Sequence, residues 1–225
     1  MLKYLLLFIG LTISKHMISQ NQIHIGDQIW MANNLNVDRF RNGDLIPEAK
    51  TDEEWILASL QEKPAWCYFQ NNSNNAMKYG KLYNIHAIND PRGLAPSGWH
   101  IPTNKELEKL TVTIGERNDS GKKLKSKANW INNKNGTDEF GFNGIPLGYR
   151  GGYGFFFGSG YQARWWYREK GEVTQISYEN SKMIQKTYET DEYVDTYMFI
   201  IDQNHKMYFN YENGGFGAPV RCIMN

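Results

Sequence analysis

The segment "GLAPSGWHIPTNKELEKL", from Gly93 to Leu110, carries the strongest local structural signals in the chain. Its first six residues have the glycine and proline content of a rigid turn, and Pro102 restricts the residues before it to extended backbone. Thr103 and Glu106 then have the spacing of a capping box, in which each side chain accepts a hydrogen bond from the other's backbone N–H group. The segment therefore predicts a turn, a short extended stretch and the start of a helix.

The helix that begins there has one apolar face. Leu107, Leu110 and Ile114 recur at helical spacing, and Gly115 lies where glycine commonly ends a helix. Such a helix needs a sheet or a second helix to cover its apolar stripe. The residues between Gly98 and Pro102 are expected to support this core, with the histidine among them in a structural hydrogen bond. The segment thus predicts a brace of the fold and not an active-site loop.

Upstream of this segment, the sequence predicts a hairpin and a first helix. Residues 22–31 alternate apolar and polar side chains on both sides of a Gly-Asp pair, which is typical of two short strands joined by a tight turn. Further along, Thr51 and Glu54 form a second capping box in "TDEEWILASLQEKP", and Pro64 ends the helical pattern.

Downstream of Ser126 the chain becomes rich in Gly, Asn and aromatic residues, which favours ordered loops with short strands over a disordered linker. Strands are predicted near 174–178, 197–201, 206–210 and 218–223. The pattern as a whole predicts a hairpin, two short helices, several short strands and long glycine-rich ordered loops.

The amino terminus predicts export. Residues 1–19 combine Lys3 with an apolar run that is about half as long as a bilayer span requires, which is typical of a cleaved signal peptide. We expect a secreted, periplasmic or cell-surface protein with no membrane insertion after cleavage. Removal of these residues takes away two lysines and changes the formal net charge from +1 to −1. This balance favours no nucleic-acid partner, and the remaining length fits one domain over 22–225.

Cys67 and Cys222 are the two cysteines of the chain. In an oxidising compartment an even pair is typical of a disulfide, and this pair would join the last predicted strand to an earlier one. The sequence therefore predicts a Cys67–Cys222 disulfide.

The polar motifs give little indication of catalysis. The histidines are scattered, no HExxH or CxxC pattern occurs, and no catalytic residue is assigned. Asp138 and Glu139 lie in "NGTDEFGFN", among residues whose carbonyls could bind calcium, so they are weak candidates for a structural Ca²⁺ site. An ordinary turn explains the same residues. No cofactor is predicted otherwise.

The aromatic residues of the glycine-rich half are candidates for ligand binding. Flat rings on loops suit stacking on sugars or contact with a protein partner, although large aromatics also fill small β-rich cores. The candidates are Tyr153, Phe155, Trp165, Trp166 and Tyr167.

Several segments in consistent order resemble one bacterial family. They include "IGDQIWMANNLNV", "FRNGDLIPEAKTDEEW", "YGKLYNIHAINDPRGLAPSGWHIPTNKELEKL", "NGTDEFGFNGIPLGYR" and the terminal "VRCIMN". Together they resemble the Fibrobacter succinogenes major paralogous domain, over nearly all of residues 22–225. The resemblance implies an α+β, C-type-lectin-like fold, with two short helices packed on small antiparallel sheets, a long irregular loop region and the two chain ends close together. It also implies a distant similarity to formylglycine-generating, sulfatase-modifying enzymes.

The departures from those relatives bear on function. The Glu-Pro-Asn and Trp-Asn-Asp motifs of calcium-dependent lectins are missing, and one late cysteine stands where the oxidases have a reactive pair. We therefore expect an exported, non-enzymatic binding module that recognises a glycan or a surface protein through loops between about 132 and 169. The alternatives are a carbohydrate-active hydrolase or remote sulfatase-modifying-type enzyme, and a structural component of the cell surface.

Overall fold

The computed structural model describes residues 22–115, 117–179, 182–211 and 215–225. The predicted signal peptide, residues 1–19, lies outside these ranges. The described chain is a mixture of short helices and three small antiparallel sheets. None of the helices in the described ranges has the length and apolar character needed to cross a bilayer.

The helices and strands alternate along the first half, and the second half is mostly strand. The described helices are α1 (Asp52–Leu60), α2 (Ala76–Tyr79), α3 (Ile85–Ile88), α4 (Asn104–Ile114) and α5 (Arg117–Leu124). The described strands are β1 (Gln22–Ile25), β2 (Gln28–Met31), β3 (Trp66–Cys67), β4 (Leu82–Asn84), β5 (Trp99–His100), β6 (Tyr149–Arg150), β7 (Phe156–Phe157), β8 (Gln162–Glu179), β9 (Lys182–Asp202), β10 (Met207–Tyr211), β11 (Gly217–Ala218) and β12 (Ile223–Met224).

Both predicted capping boxes are present. Thr51 and Glu54 exchange side-chain to backbone bonds at the start of α1, and Thr103 and Glu106 do the same at the start of α4. Caps of this kind stabilise a helix by about 1 kcal/mol. The helix α5, which has about two turns, was not predicted from the sequence. Its residues include almost no apolar side chains that would mark a buried face.

One sheet joins the two ends of the described chain. Its strand order is β1-β2-β12-β5, and Ile223 of β12 pairs with both Trp30 and His100. The predicted hairpin over residues 22–31 is confirmed, with Gly26 in the left-handed conformation at its turn. The segment that begins at Gly93 enters this sheet as β5, so it fixes the carboxyl end of the chain directly.

The base of the β8–β9 hairpin, residues 163–167 and 198–201, separates two hydrophobic cores. Successive side chains of a strand point to opposite faces, so Trp166 packs into one core while Trp165 and Tyr167 pack into the other. The partner strand alternates in the same way along Met198 to Ile201. Because both faces are buried, this strand lacks the apolar-polar alternation that marks a half-exposed strand. The prediction that residues 162–169 form loops is therefore wrong.

The third sheet carries the glycine-rich segment. Its order is β3-β4-β11-β6-β7, so β7 lies at an edge. The indole of Trp55 on α1 covers one face and donates from Nε1 to the carbonyl of Gly215 at 2.7 Å. Gly217 of β11 faces this ring so closely that a Cβ atom would overlap it. A small residue is therefore needed where α1 packs on the sheet.

The predicted disulfide is absent: Cys67 and Cys222 are both free, buried thiols. Trp66 of β3 and Cys222 share one hydrophobic cluster, while Cys67 lies in another cluster with Leu82. Neighbouring residues of a strand face opposite sides, so the orientation of Trp66 toward Cys222 turns Cys67 away. Burial raises the pKa of Cys67 to about 11 and that of Cys222 to about 12, which keeps both as thiols.

The thiols can be counted chemically. We expect two free thiols per chain when protein purified without reductant is unfolded and labelled with a maleimide, because neither sulfur has a disulfide partner. In the native state the labelling of both should be slow, since both side chains are fully buried. Mass spectrometry of the labelled protein gives the count. If the chain took up label only after reduction, the two cysteines would be bridged and the prediction of free thiols would be wrong.

We expect side chains of the hairpin base to contribute strongly to the free energy of unfolding. Replacing Trp166 with Ala is expected to lower the free energy of unfolding by about 3–5 kcal/mol, because it empties a fully buried site and removes the bond from its Nε1 to the carbonyl of Tyr83. Urea unfolding measures this loss. Tyr153→Ala, at a ring that is 80% exposed, is the control and should change stability little. Similar losses in both variants would contradict the role assigned to the hairpin base.

Candidate functional site

One concave surface of the described chain is a groove formed by two adjoining cavities of about 610 Å³ and about 250 Å³. Asn129 and Ile145 line both of them. The larger cavity is also lined by Ala32, Asn33, Lys78, Ser126, Lys127, Ala128, Asp138, Gly141 and Asn143, and the smaller by Phe69, Tyr79, Pro146, Leu147, Ser159 and Gly160. We call the combined surface the groove. It joins the β2 end, α2 and the irregular region after α5.

Buried polar contacts hold the groove segments in place. The side chain of Lys125 is buried above the ring of Trp130, 3.7 Å from its centre, and donates to the carbonyls of Asp202 and Gln203. Burial lowers the pKa of this lysine to about 8. Next to it, the backbone N–H of Ser126 donates to the carbonyl of Gly144 at 3.0 Å. The two sides of the irregular region are thus tied to each other and to the turn after β9.

Asn34 links the groove to the hairpin base. Its Oδ1 atom accepts bonds from Trp165 Nε1 and Arg221 Nη2, each at 2.9 Å. Its Nδ2 atom donates to the carbonyl of Tyr79 at 2.9 Å. One amide therefore connects a core tryptophan, a buried arginine and the helix α2, which carries part of the groove lining.

Three residues of the lining other than glycine have left-handed backbone. Asn129, Asp138 and Asn143 have φ values of 74°, 49° and 49°. Asn and Asp tolerate this conformation better than other residues with a side chain, and such positions are often found at functional sites. Asp138 Oδ1 accepts a bond from the N–H of Asn143 at 2.6 Å, which closes the turn between them.

The lining offers hydrogen-bonding amides in the larger cavity and an aromatic ring in the smaller one, with Asn129 common to both. Asn33, Asn129 and Asn143 are exposed, and their side-chain amides have no hydrogen-bond partner in the described part of the chain. The ring of Tyr79 is half-buried and contacts Phe69 edge to face, with 5.5 Å between ring centres. Each carboxamide can both donate and accept, and the ring presents a flat apolar surface.

A buried cation lies behind the groove wall. Arg221 donates to the carbonyl of Phe142, whose two sequence neighbours line the groove. It also donates to Asn34, which directly follows the lining residue Asn33. Its guanidinium stacks on the Phe142 ring at 4.3 Å, while Nε has no partner among the described residues. Burial lowers the pKa of Arg221 to about 9, against the opposing charge of Asp138, so the group remains cationic at neutral pH.

The structure separates the predicted aromatic site. Trp165, Trp166 and Tyr167 are buried in the hairpin base, which makes their assignment to a ligand surface wrong. Tyr153 and Phe155 are 80% and 59% exposed, on the turn between β6 and β7. We call residues 151–155 the aromatic turn. The five candidates therefore form no single surface, because three of them alternate between the two cores.

The predicted calcium ligands are engaged in turn contacts. Asp138 lines the groove as described above, and Glu139 Oε1 accepts a bond from Thr137 Oγ1 at 3.0 Å. The described residues contain no group of three or more His, Cys, Asp or Glu side chains placed to hold a metal ion.

A family model covers this whole architecture. It matches residues 23–224, from β1 to β12, and its description is the Fibrobacter succinogenes major domain. The chain belongs to the Fibrobacter succinogenes major domain family. The family identity predicted from the sequence is thereby confirmed. No curated protein and no solved structure matches the chain.

In this Fibrobacter succinogenes major domain, His100 acts as the predicted structural histidine. Its ring nitrogens lie 2.8 Å from Glu106 Oε1 and 2.7 Å from Asn225 Oδ1. Burial alone would lower the pKa of His100, but the bond and charge of Glu106 outweigh it and raise the pKa. Burial likewise opposes ionisation of Glu106, yet bonds from His100 and Thr103 hold its pKa below the usual value. The pair fastens α4 to the last residue.

Only faint signals for the groove are present in the sequence. Its amides come from "MANNLN", "SKANW" and "GFNG", where Asn is also the expected residue of an ordinary turn. Asn33 and Asn143 are 110 residues apart in number and meet only in the folded domain. Asparagine in these turn-like segments was the sequence pattern that could have indicated this surface.

The His100–Glu106 pair should give this domain a pH-dependent stability. A raised His100 pKa gives a contribution that is complete below about pH 6.5 and is lost as the pH rises through the folded-state pKa. A lowered Glu106 pKa gives one that is present above about pH 4.3 and is lost on acidification. We therefore expect His100→Gln to lower the melting temperature more at pH 5.5 than at pH 8.5.

Thermal melts at the two pH values test this expectation. His24→Gln, at an exposed position of β1, is the matched control. An equal loss at both pH values for His100→Gln would show that the pair adds nothing beyond neutral hydrogen bonding.

Proposed function

We propose that this chain is an exported, non-enzymatic binding module of C-type-lectin-like fold that recognises a glycan in the groove. The proposal rests on the lining itself: three exposed asparagine amides border the groove, and one of them, Asn129, lines the same cavity as the half-buried Tyr79. Residues 1–19 support export through their signal-peptide pattern.

The chemistry of a sugar matches this lining. A sugar ring carries hydroxyl groups that donate and accept at once, and a carboxamide has the same dual capacity. The weakly polar face of a sugar stacks well on an aromatic ring. The larger cavity, about 610 Å³, falls in the range of about 300–1,000 Å³ typical of small-molecule sites. A preformed groove of this kind would bind an oligosaccharide without a large ordering cost.

The arrangement of the chain supports a C-type-lectin-like fold. Strands from both ends of the described chain meet in one sheet, two capped helices flank small antiparallel sheets, and a long irregular region precedes β8. The groove is built largely on that irregular region, which is where a binding surface can vary while the cores stay fixed.

Binding is favoured over hydrolysis by the state of the lining carboxylate. Glycoside hydrolysis needs two carboxyl groups on either side of the scissile bond. Asp138 is the one carboxylate among the described lining residues, and its Oδ1 atom is already bonded to the backbone of Asn143. The lining supplies hydrogen bonds and charge for holding a ligand. A structural role at the cell surface is the remaining alternative and predicts no soluble glycan ligand.

The test is a glycan array followed by calorimetry on the ligands it identifies. Asn33→Ala should weaken binding about fivefold, which corresponds to one hydrogen bond of about 1 kcal/mol. Asn129→Gly combined with Asn143→Gly should weaken it further. Glycine accepts the positive φ at both positions, so the backbone is not strained.

Two further variants locate the effect. Asn133→Gly is the matched control, because Asn133 is exposed and has a φ of 55° but does not line the groove. Tyr153→Ala with Phe155→Ala removes the exposed rings of the aromatic turn. If only this double variant abolished binding, the glycan would bind at the aromatic turn and not in the groove. A protein that binds no glycan on the array would argue against the function altogether.

A further inference from the structure

The groove has an excess of positive charge. Lys78, at the end of α2, and Lys127, after the buried Lys125, both line it with exposed side chains. They come from two separate segments of the chain. Lys78 Nζ lies 4.8 Å from the centre of the Tyr79 ring, so a positive charge accompanies the aromatic surface. Two exposed ammonium groups thus border the same cavity as the asparagine amides.

Arg221 strengthens this field from behind. Its bonded partners are a carbonyl and an amide, which are both neutral, so no carboxylate within salt-bridge distance cancels its charge in the described structure. A charge in a buried site is less screened than one in water, and its field therefore extends into the groove. Asp138 opposes it with a single negative charge.

This balance contrasts with the rest of the chain. The full sequence has 25 basic and 24 acidic residues, so the molecule as a whole is nearly neutral. Two exposed lysines and a buried arginine against one aspartate therefore form a local feature of the groove. A neutral sugar would leave these cations solvated and would gain no electrostatic attraction from them. An anionic ligand would be attracted to the groove by their charge.

We propose that the groove binds an acidic saccharide, in which a carboxylate lies between Lys78 and Lys127 and the hydroxyl groups bond to the asparagine amides. This inference rests on the proposed glycan-binding function and narrows it to one ligand class. Asp138 limits the affinity, because its charge lies on the same surface as the ligand's carboxylate. Its removal should therefore strengthen binding, which is the opposite of the effect expected for the lysines.

The experiment compares matched ligands on the full-length protein. The probes are oligosaccharides of galacturonic, glucuronic and mannuronic acid together with their methyl esters, which have the same sugars without the charge. We expect an acid to bind about tenfold more tightly than its ester, as for a charge-assisted hydrogen bond. The preference should decrease as the salt concentration rises.

Charge-altering variants assign the effect to the groove. Lys78→Gln and Lys127→Gln should reduce the preference for the acid severalfold, and Lys63→Gln, at an exposed lysine outside the groove, should leave it unchanged. Asp138→Asn should increase it, since Asn keeps the acceptor for the Asn143 N–H and tolerates the positive φ.

The outcomes separate the two proposals. Binding of neutral glycans or methyl esters as tight as that of the acids would overturn the acidic-ligand inference while the glycan function stands. A preference that survives in both lysine variants would also overturn it. Failure to bind any neutral or acidic glycan would overturn the function as well.

Discussion

The structure depends on the burial of both faces of the β8–β9 hairpin base. Trp166 fills the core that contains Tyr83 and Cys222, and Trp165 fills the core beneath α4. Each indole N–H is satisfied, by the carbonyl of Tyr83 and by Asn34 respectively, so the rings are buried without an unpaired donor. The two cores can form only if these strands keep their register, since a slip of one residue would exchange their side chains.

Contacts with the hairpin base hold the groove segments in place. Through Asn34, Trp165 is bonded to the same amide as Arg221 and α2. The irregular region is then fixed by Lys125 and by backbone bonds between its two sides. A surface made of loops therefore rests on buried polar contacts, and it can present polar residues in fixed positions without regular secondary structure.

Aromatic rings in this domain serve as partners for buried cations. Lys125 lies above Trp130, Arg221 above Phe142, and Arg150 near Trp55 and Phe156. Arg150 also forms an ion pair with Asp52 at 2.9 Å, whereas Lys125 and Arg221 bond mainly to neutral acceptors. Cation–π contacts offset part of the desolvation cost of such charges.

The sequence by itself determined the local elements and the family. Capping boxes, turn glycines and the hairpin over residues 22–31 depend on near neighbours, so Thr51, Gly26 and Thr103 could be assigned without the fold. Tertiary structure alone decided which residues meet. The sequence pattern around Trp165 indicates a loop, but both faces of its strand are buried. The two cysteines suggest a disulfide, but the orientation of β3 turns Cys67 away from Cys222. The groove amides, from Asn33 to Asn143, become one surface only through packing, because side-chain direction and long-range contact are not local properties.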